Sequence, residues 1–269
     1  MKLETFFYTH QSGCSVASFP PLDSEQTWVI VFGGPDFIDA PEPIHEIRRA
    51  YPNSHIVGCS SSGEIFGTTI ADNSLAVGII QFQHTSIITT TMPVQSVHES
   101  YAVGQAIAQR LNRPSLRGIF LLSDGLRVNG SELVRGLNAI LPSSVIVTGG
   151  LAGDGDQFKR TWVIKDGSLQ SGFVSAVGLY GEHIKIGHGS KGGWDIFGPE
   201  RLVTRSDSNI LYELDGKPAL QVYKEYLGEQ ASGLPATAFY FPLALRANTS
   251  DHRRIVRTVL AVDEANQAI

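Results

Sequence analysis

Cysteine is almost absent from this sequence: Cys14 and Cys59 are the only two among 269 residues. Two are too few for a disulfide framework, and they lack metal-ligand spacing. The eight histidines do not compensate, because none stands in the H-x-x-x-H or Cys/His pattern that zinc requires. No metal and no cofactor are expected. Charge is also sparse, at 17% of residues with a formal net charge of −5. A general nucleic-acid binder needs basic clusters to replace phosphate counterions. Only the run His252 to Arg257 approaches one, and its alternation with apolar residues reads as a solvated strand face. No uninterrupted apolar run reaches the roughly 18 residues of a spanning helix, so no membrane partner is expected. The N-terminal MKLETFFYTHQSG has no apolar core of signal-peptide length. The default expectation is a cytoplasmic, reducing setting.

What the chain does have is apolar residues, 42%, and 28 glycines. Some of them recur. VIVTGGLAGDGD, Val145 to Asp156, resembles HIVGCSSSGE, His55 to Glu64, with Ile56 beside Ile146, Val57 beside Val147, Gly63 beside Gly153 and Glu64 against Asp154. Farther on, Ala76-Val77-Gly78-Ile79 resembles Ala176-Val177-Gly178-Leu179. An internal duplication follows, with repeats over about 25–113 and 114–200.

Apolar periodicity supplies the elements. Trp28 to Phe32 is a continuous apolar run stopped by Gly33-Gly34-Pro35, the mark of a buried strand entering a turn. Pro41 to Tyr51 reads as an amphipathic helix ended by Pro52, and Ile56 starts the next strand. Ser74 to Phe82 and Ser86 to Val94 read as a strand pair joined as a hairpin, and Tyr101 to Leu111 as a helix. The second repeat follows the same order: strand Gly118 to Leu122, helix Gly130 to Leu141, strand Val145 to Thr148, then strands Thr161 to Asp166, Gly172 to Tyr180 and His183 to Gly187. Asp166-Gly167 is a hairpin-turn pair. Beyond Trp194 come strands Arg201 to Arg205 and Ile210 to Leu214, a helix after Pro218, and strands Ala238 to Leu245 and Arg254 to Val262. The fold class is therefore α/β: a duplicated unit whose mixed sheets pack face to face with helices outside, plus a partial second domain.

Ligand sites in α/β sheets lie at strand carboxyl ends, and both glycine turns stand there. Packing between the repeats is the alternative reading of the same glycines. Asp124, in Ser123-Asp124-Gly125, suits either backbone donors or a ligand's ammonium group, and Asn129 suits a helix N-cap. Asp154-Gly155-Asp156 fails the calcium-loop pattern because Phe158 and Lys159 follow. Gly187 to Gly192 spells G-x-G-x-x-G, but the following Trp194-Asp195-Ile196-Phe197-Gly198-Pro199 cannot be the required helix. Cys59, flanked by three serines, is a candidate nucleophile, without a G-x-S-x-G elbow and without an identifiable base.

Taken in order, Gly58-Cys59-Ser60-Ser61-Ser62-Gly63-Glu64, Ser123-Asp124-Gly125 with Asn129-Gly130, Gly149-Gly150-Leu151-Ala152-Gly153-Asp154, Gly193-Trp194 with Val203-Thr204, and Leu214-Asp215-Gly216-Lys217-Pro218-Ala219 resemble the FIST sensory family. The likeness implies a FIST N-like domain over 1–220 and, over 221–269, the start of a FIST C-like domain that is expected to be truncated. It implies an intracellular input module of signal transduction that senses a small molecule, such as an amino acid or derivative, and passes its state to a separate output protein.

The expected site comprises Cys59, Ser60, Gly63, Glu64, Asp124, Asn129, Gly149, Gly150, Gly153, Asp154 and Trp194. Carboxylates and Asn129 would be the polar anchors, the glycines would give room, and Trp194 apolar contact. No catalysis is expected. Two other readings stay open: a hydrolase or amidotransferase-like enzyme using Cys59 or a nearby serine, and an assembly module with no ligand.

Overall fold

Along Trp28 to Phe32 both faces are apolar, so the strand must be covered on two sides. Val29 and Val31 pack one way, with Ile44 and Ile47, while Trp28 and Ile30 pack the other way, with Val177 and Leu179. That single strand dictates layers. The computed structural model describes residues 1–189, 193–251 and 255–269 and divides into two units, Met1–His188 and Gly189–Ile269.

The first unit begins with β1 (Lys2–Thr9), β2 (Gly13–Cys14), β3 (Thr27–Gly33), α1 (Glu42–Ala50) and β4 (His55–Ser60). A small hairpin, β5 (Glu64–Phe66) and β6 (Thr69–Ala71), leads into β7 (Ser74–Gln81). Then come β8 (Ser86–Pro93), α2 (Ser100–Leu111), β9 (Leu116–Ser123), α3 (Gly130–Asn138) and β10 (Ile146–Leu151). A second hairpin, β11 (Val163–Lys165) and β12 (Ser168–Gln170), leads into β13 (Phe173–Tyr180). One sheet has the order β12-β11-β4-β3-β7-β1-β2 and the other β10-β9-β13-β8.

Helix α1 covers the outer face of the first sheet through Ile44 and Ile47. Helices α2 and α3 cover the outer face of the second through Ile107, Leu111, Leu133 and Leu137. Between the sheets Trp28, Val57 and Phe82 meet Ile87, Val177 and Leu179, with Phe120 beside them. The unit is thus a four-layer α/β/β/α sandwich. Each fully buried side chain of that size stabilises it by about 1.5–3 kcal/mol.

The sheets share one plan. β4-β3-β7-β1 and β10-β9-β13-β8 have the same order and the same directions, with one parallel pair and two antiparallel pairs each. The shared plan runs over 2–81 and 86–180. Strand β8 therefore pairs with β13 in the second sheet and does not form the expected hairpin with β7. Facing also corrects the sequence pairing by one residue. Ile56 and Val147 both pack toward the outer helices, so Ile56 corresponds to Val147 and not to Ile146. Val77 likewise matches Ala176 and not Val177, which faces the other sheet. A one-residue slip exchanges the two faces of a strand. No strand forms at 183–187, although Ile184 and Ile186 still pack between the sheets.

The second unit holds a three-stranded sheet of β14 (Val203–Asp207), β15 (Ile210–Leu214) and β16 (Lys217–Pro218). It continues with α4 (Ala219–Leu227) and the pair β17 (Leu243–Leu245) and β18 (Ile255–Arg257). Its core gathers Tyr223, Leu227, Ala238 and Val259. The expected strand over 238–245 forms only at its end, since Ala236–Tyr240 is a 3-10 turn. Residue 254 of the expected last strand, residues 252–254 of the basic run and residues 190–192 of the glycine-rich motif lie outside the described residues.

Candidate functional site

Both parallel pairs end at the same place. β3 with β4 and β9 with β10 deliver their carboxyl ends to a groove of about 340 Å³ between the sheets. Its floor is Phe32, Cys59, Phe120 and Leu122. One rim is the turn Ser60 to Ser62, and the other is Thr148 to Leu151 with Gly153. The two turns are stitched together: Gly153 N–H donates to Ser60 C=O (3.0 Å) and Gly155 N–H to Ser62 Oγ (3.1 Å).

Gly58 and Gly149 occupy equivalent strand positions, paired with Val31 and Leu121. A Cβ on either would collide with the carbonyl oxygen of that partner, and Gly149 also has φ +146°. Gly150 differs. A Cβ there would meet nothing, because it opens into the groove.

Five of the expected residues, Cys59, Ser60, Gly149, Gly150 and Gly153, line the groove. The carboxylates do not, and each has another task. Glu64 is buried, accepting from Ser61 Oγ (2.6 Å), Ser74 N–H (3.0 Å) and Ser74 Oγ (2.7 Å). Asp124 accepts three backbone N–H groups, from Leu126, Arg127 and Gly172, all at 2.8 Å. Asp154 accepts from the N–H groups of Lys159 (2.7 Å) and Arg160 (2.8 Å). Asn129 caps α3, its side chain accepting from Ser131 and Glu132 N–H. Gly63, at φ +150°, belongs to the turn before β5 and is not part of the lining. Trp194 belongs to the second unit, where it is 54% exposed. These side chains fasten turns and caps and do not line the groove.

The hydrogen-bonding groups along the groove are hydroxyls and main-chain amides. Ser62 Oγ already accepts from Gly155, which leaves its own proton to donate. Thr148 and Leu151, missed in the sequence, also line the groove. The sequence signal for them is adjacency alone, since they flank the two glycines. Cys59 is buried, and burial pushes its thiol up to about 12. Such a thiol stays protonated at neutral pH and is no activated nucleophile. Among the described residues no three His, Cys, Asp or Glu side chains gather as a metal site, and no helix is long and apolar enough to cross a membrane.

Comparison with known proteins agrees with the order of these motifs. Residues 27–217 match the FIST N domain and residues 219–269 the FIST C domain. A comparison with curated proteins returns no match. The FIST N match covers most of the chain, so this protein belongs to the FIST family, whose domains are sensory modules of signal transduction.

Proposed function

We propose that the chain is an input module that binds a small molecule in the groove between the glycine turns and passes its state to a separate output protein. The observation that carries this reading is the meeting of two strand carboxyl ends around an open, apolar-floored groove rimmed by hydrogen-bonding groups. The ligand's apolar body rests on Phe32, Phe120 and Leu122. Its acceptors meet Ser62, Thr148 and the β10 main chain. Among the described residues the only titratable one lining the groove is Cys59, which burial keeps neutral. A free amino acid would bring an ammonium group with no carboxylate to meet it, so an amino-acid derivative without that charge fits the groove better.

The test is a thermal-shift screen of amino acids, their acylated and amidated derivatives and related metabolites against the wild type and Gly150→Val. Valine suits a strand and enters empty space, so the variant folds normally and loses the shift. A ligand that shifts both proteins equally places the site elsewhere. The enzyme alternative is tested by alkylation of Cys59 at neutral pH, where fast labelling of the native protein would favour it.

A further inference from the structure

The two sheets depart from their shared plan at both edges: β2 extends the first beyond β1, and β11–β12 extend it beyond β4, the departure that lies at the groove. In the first sheet the outer edge of β4 is filled: β11 runs antiparallel along it with Val163 opposite Cys59, and Ser60 N–H donates to Trp162 C=O (2.9 Å). The corresponding edge belongs to β10, which ends its sheet. The hairpin β5–β6 holds the place in the first repeat that β11–β12 holds in the second, yet it stays a separate two-stranded sheet. Nothing among the described residues pairs with the outer edge of β10.

The polarity of that edge follows from alternation along a strand. Ala152 N–H donates inward to Ser123 C=O, as Ser61 N–H does to Gly33 C=O (2.8 and 2.9 Å). Leu151 N–H therefore points outward, as Ser60 N–H does, and the main-chain groups of Gly149 point outward with it. Gly149, Gly150 and Leu151 are exposed, and no side chain blocks the approach at Gly150.

We propose that the groove takes a short, uncharged peptide or peptide-like compound that adds to β10 as the missing strand. This rests on the reading that the groove is the ligand site, and it names the ligand class. The internal precedent specifies the pose. The ligand runs antiparallel to β10 with its central residue opposite Gly150, where an apolar side chain enters the groove as Val163 packs with Cys59 and Leu122. The carbonyl before that residue accepts from Leu151 N–H, and the amide after it donates to Gly149 C=O. Strand addition of this kind draws affinity from main-chain hydrogen bonds and selectivity from alternate side chains. A capped backbone also suits a groove with no charged partner to offer.

The experiment titrates the full chain with acetyl-Ala-Val-Ala-amide and, separately, with free valine, by calorimetry. The capped peptide binds the wild type and free valine does not. Leu151→Pro removes the outward donor and weakens binding by about tenfold or more. Should Leu151→Pro fail to fold, N-methylation of the third peptide residue removes the partner of Gly149 C=O and must weaken binding comparably. The proposal is overturned if the peptide is silent while a small molecule from the screen binds in a manner abolished by Gly150→Val, a result that leaves the groove as ligand site. It is also overturned if the Leu151 amide is protected from hydrogen exchange in the free protein, which would show the edge already filled. If nothing binds in a Gly150-sensitive way, both readings fall.

Discussion

Asp124 illustrates how a buried carboxylate in a sensory domain can have a purely architectural task. Its three backbone donors tie the end of β9 to its following turn and to the start of β13. Removing the acceptor leaves the buried Gly172 N–H unpaired at about 1–3 kcal/mol, while the part-buried Leu126 and Arg127 N–H groups can turn to solvent. Asp124→Ala should therefore lower unfolding free energy by about 1–3 kcal/mol, read by urea melts, without a specific loss of ligand affinity in the fraction that folds. The two buried tryptophans make a second contrast. Trp162 Nε1 donates to Gly34 C=O (3.1 Å), while Trp28 Nε1 has no partner among the described residues and its ring meets Phe120 edge-on. Trp162→Phe should cost more stability than Trp28→Phe, because only the first breaks a hydrogen bond. His55 supplies the pH dependence. It lies half-buried in β4 with Nδ1 3.3 Å from Thr89 Oγ1 of β8. Burial lowers its pKa from the ordinary 6.5, with Glu25 pulling the other way. The unfolded chain then binds the proton more readily, so this contribution is full above pH 6.5 and is lost as pH falls through the folded value. Urea midpoints at about pH 7.5 and about pH 5.5 should differ less in His55→Gln than in the wild type.

At the scale of elements, the two glycines of β10 behave oppositely although they are neighbours. Gly149→Ala forces a side chain into a positive-φ position and against Leu121 C=O, and should destabilise by about 2 kcal/mol or more. Gly150→Ala should be neutral or slightly stabilising, because the added methyl meets open space and restricts the unfolded chain. Thermal denaturation of the pair separates a glycine kept by the backbone from one that opens onto a site. The sequence carried the existence of these turns plainly, since an apolar run that breaks into glycine at a strand end has few other meanings. It could not say which glycine was which. That depends on a register that a one-residue slip inverts, and HIVG against VIVTGG aligns by letter one residue away from where it aligns by facing. For the carboxylates the limit is a related one. Glu64, Asp124 and Asp154 sit beside the turns in sequence, and only the folded backbone shows that their oxygens point into the turns themselves.

At the scale of the molecule, the first unit repeats one sheet plan and varies it at the edges. Alternation and helix period were enough to anticipate two mixed sheets with helices outside, because strands such as Trp28 to Phe32 are apolar on both faces. The strand order was not legible, since β8 and β7 are adjacent in sequence and similar in composition yet belong to different sheets. Each described core is built within its own unit, and the four clusters of the first unit use residues of 1–188 alone. A fragment of residues 1–188 should accordingly unfold in one cooperative transition with urea, although the FIST N match continues to residue 217. The most direct test of the groove as the site of sensing is amide chemical-shift mapping of the full chain with a compound that raises its melting temperature. The account predicts perturbations centred on Ser60 to Ser62 and Thr148 to Leu151, and their disappearance in Gly150→Val. Perturbations centred elsewhere, unchanged by Gly150→Val, would contradict it.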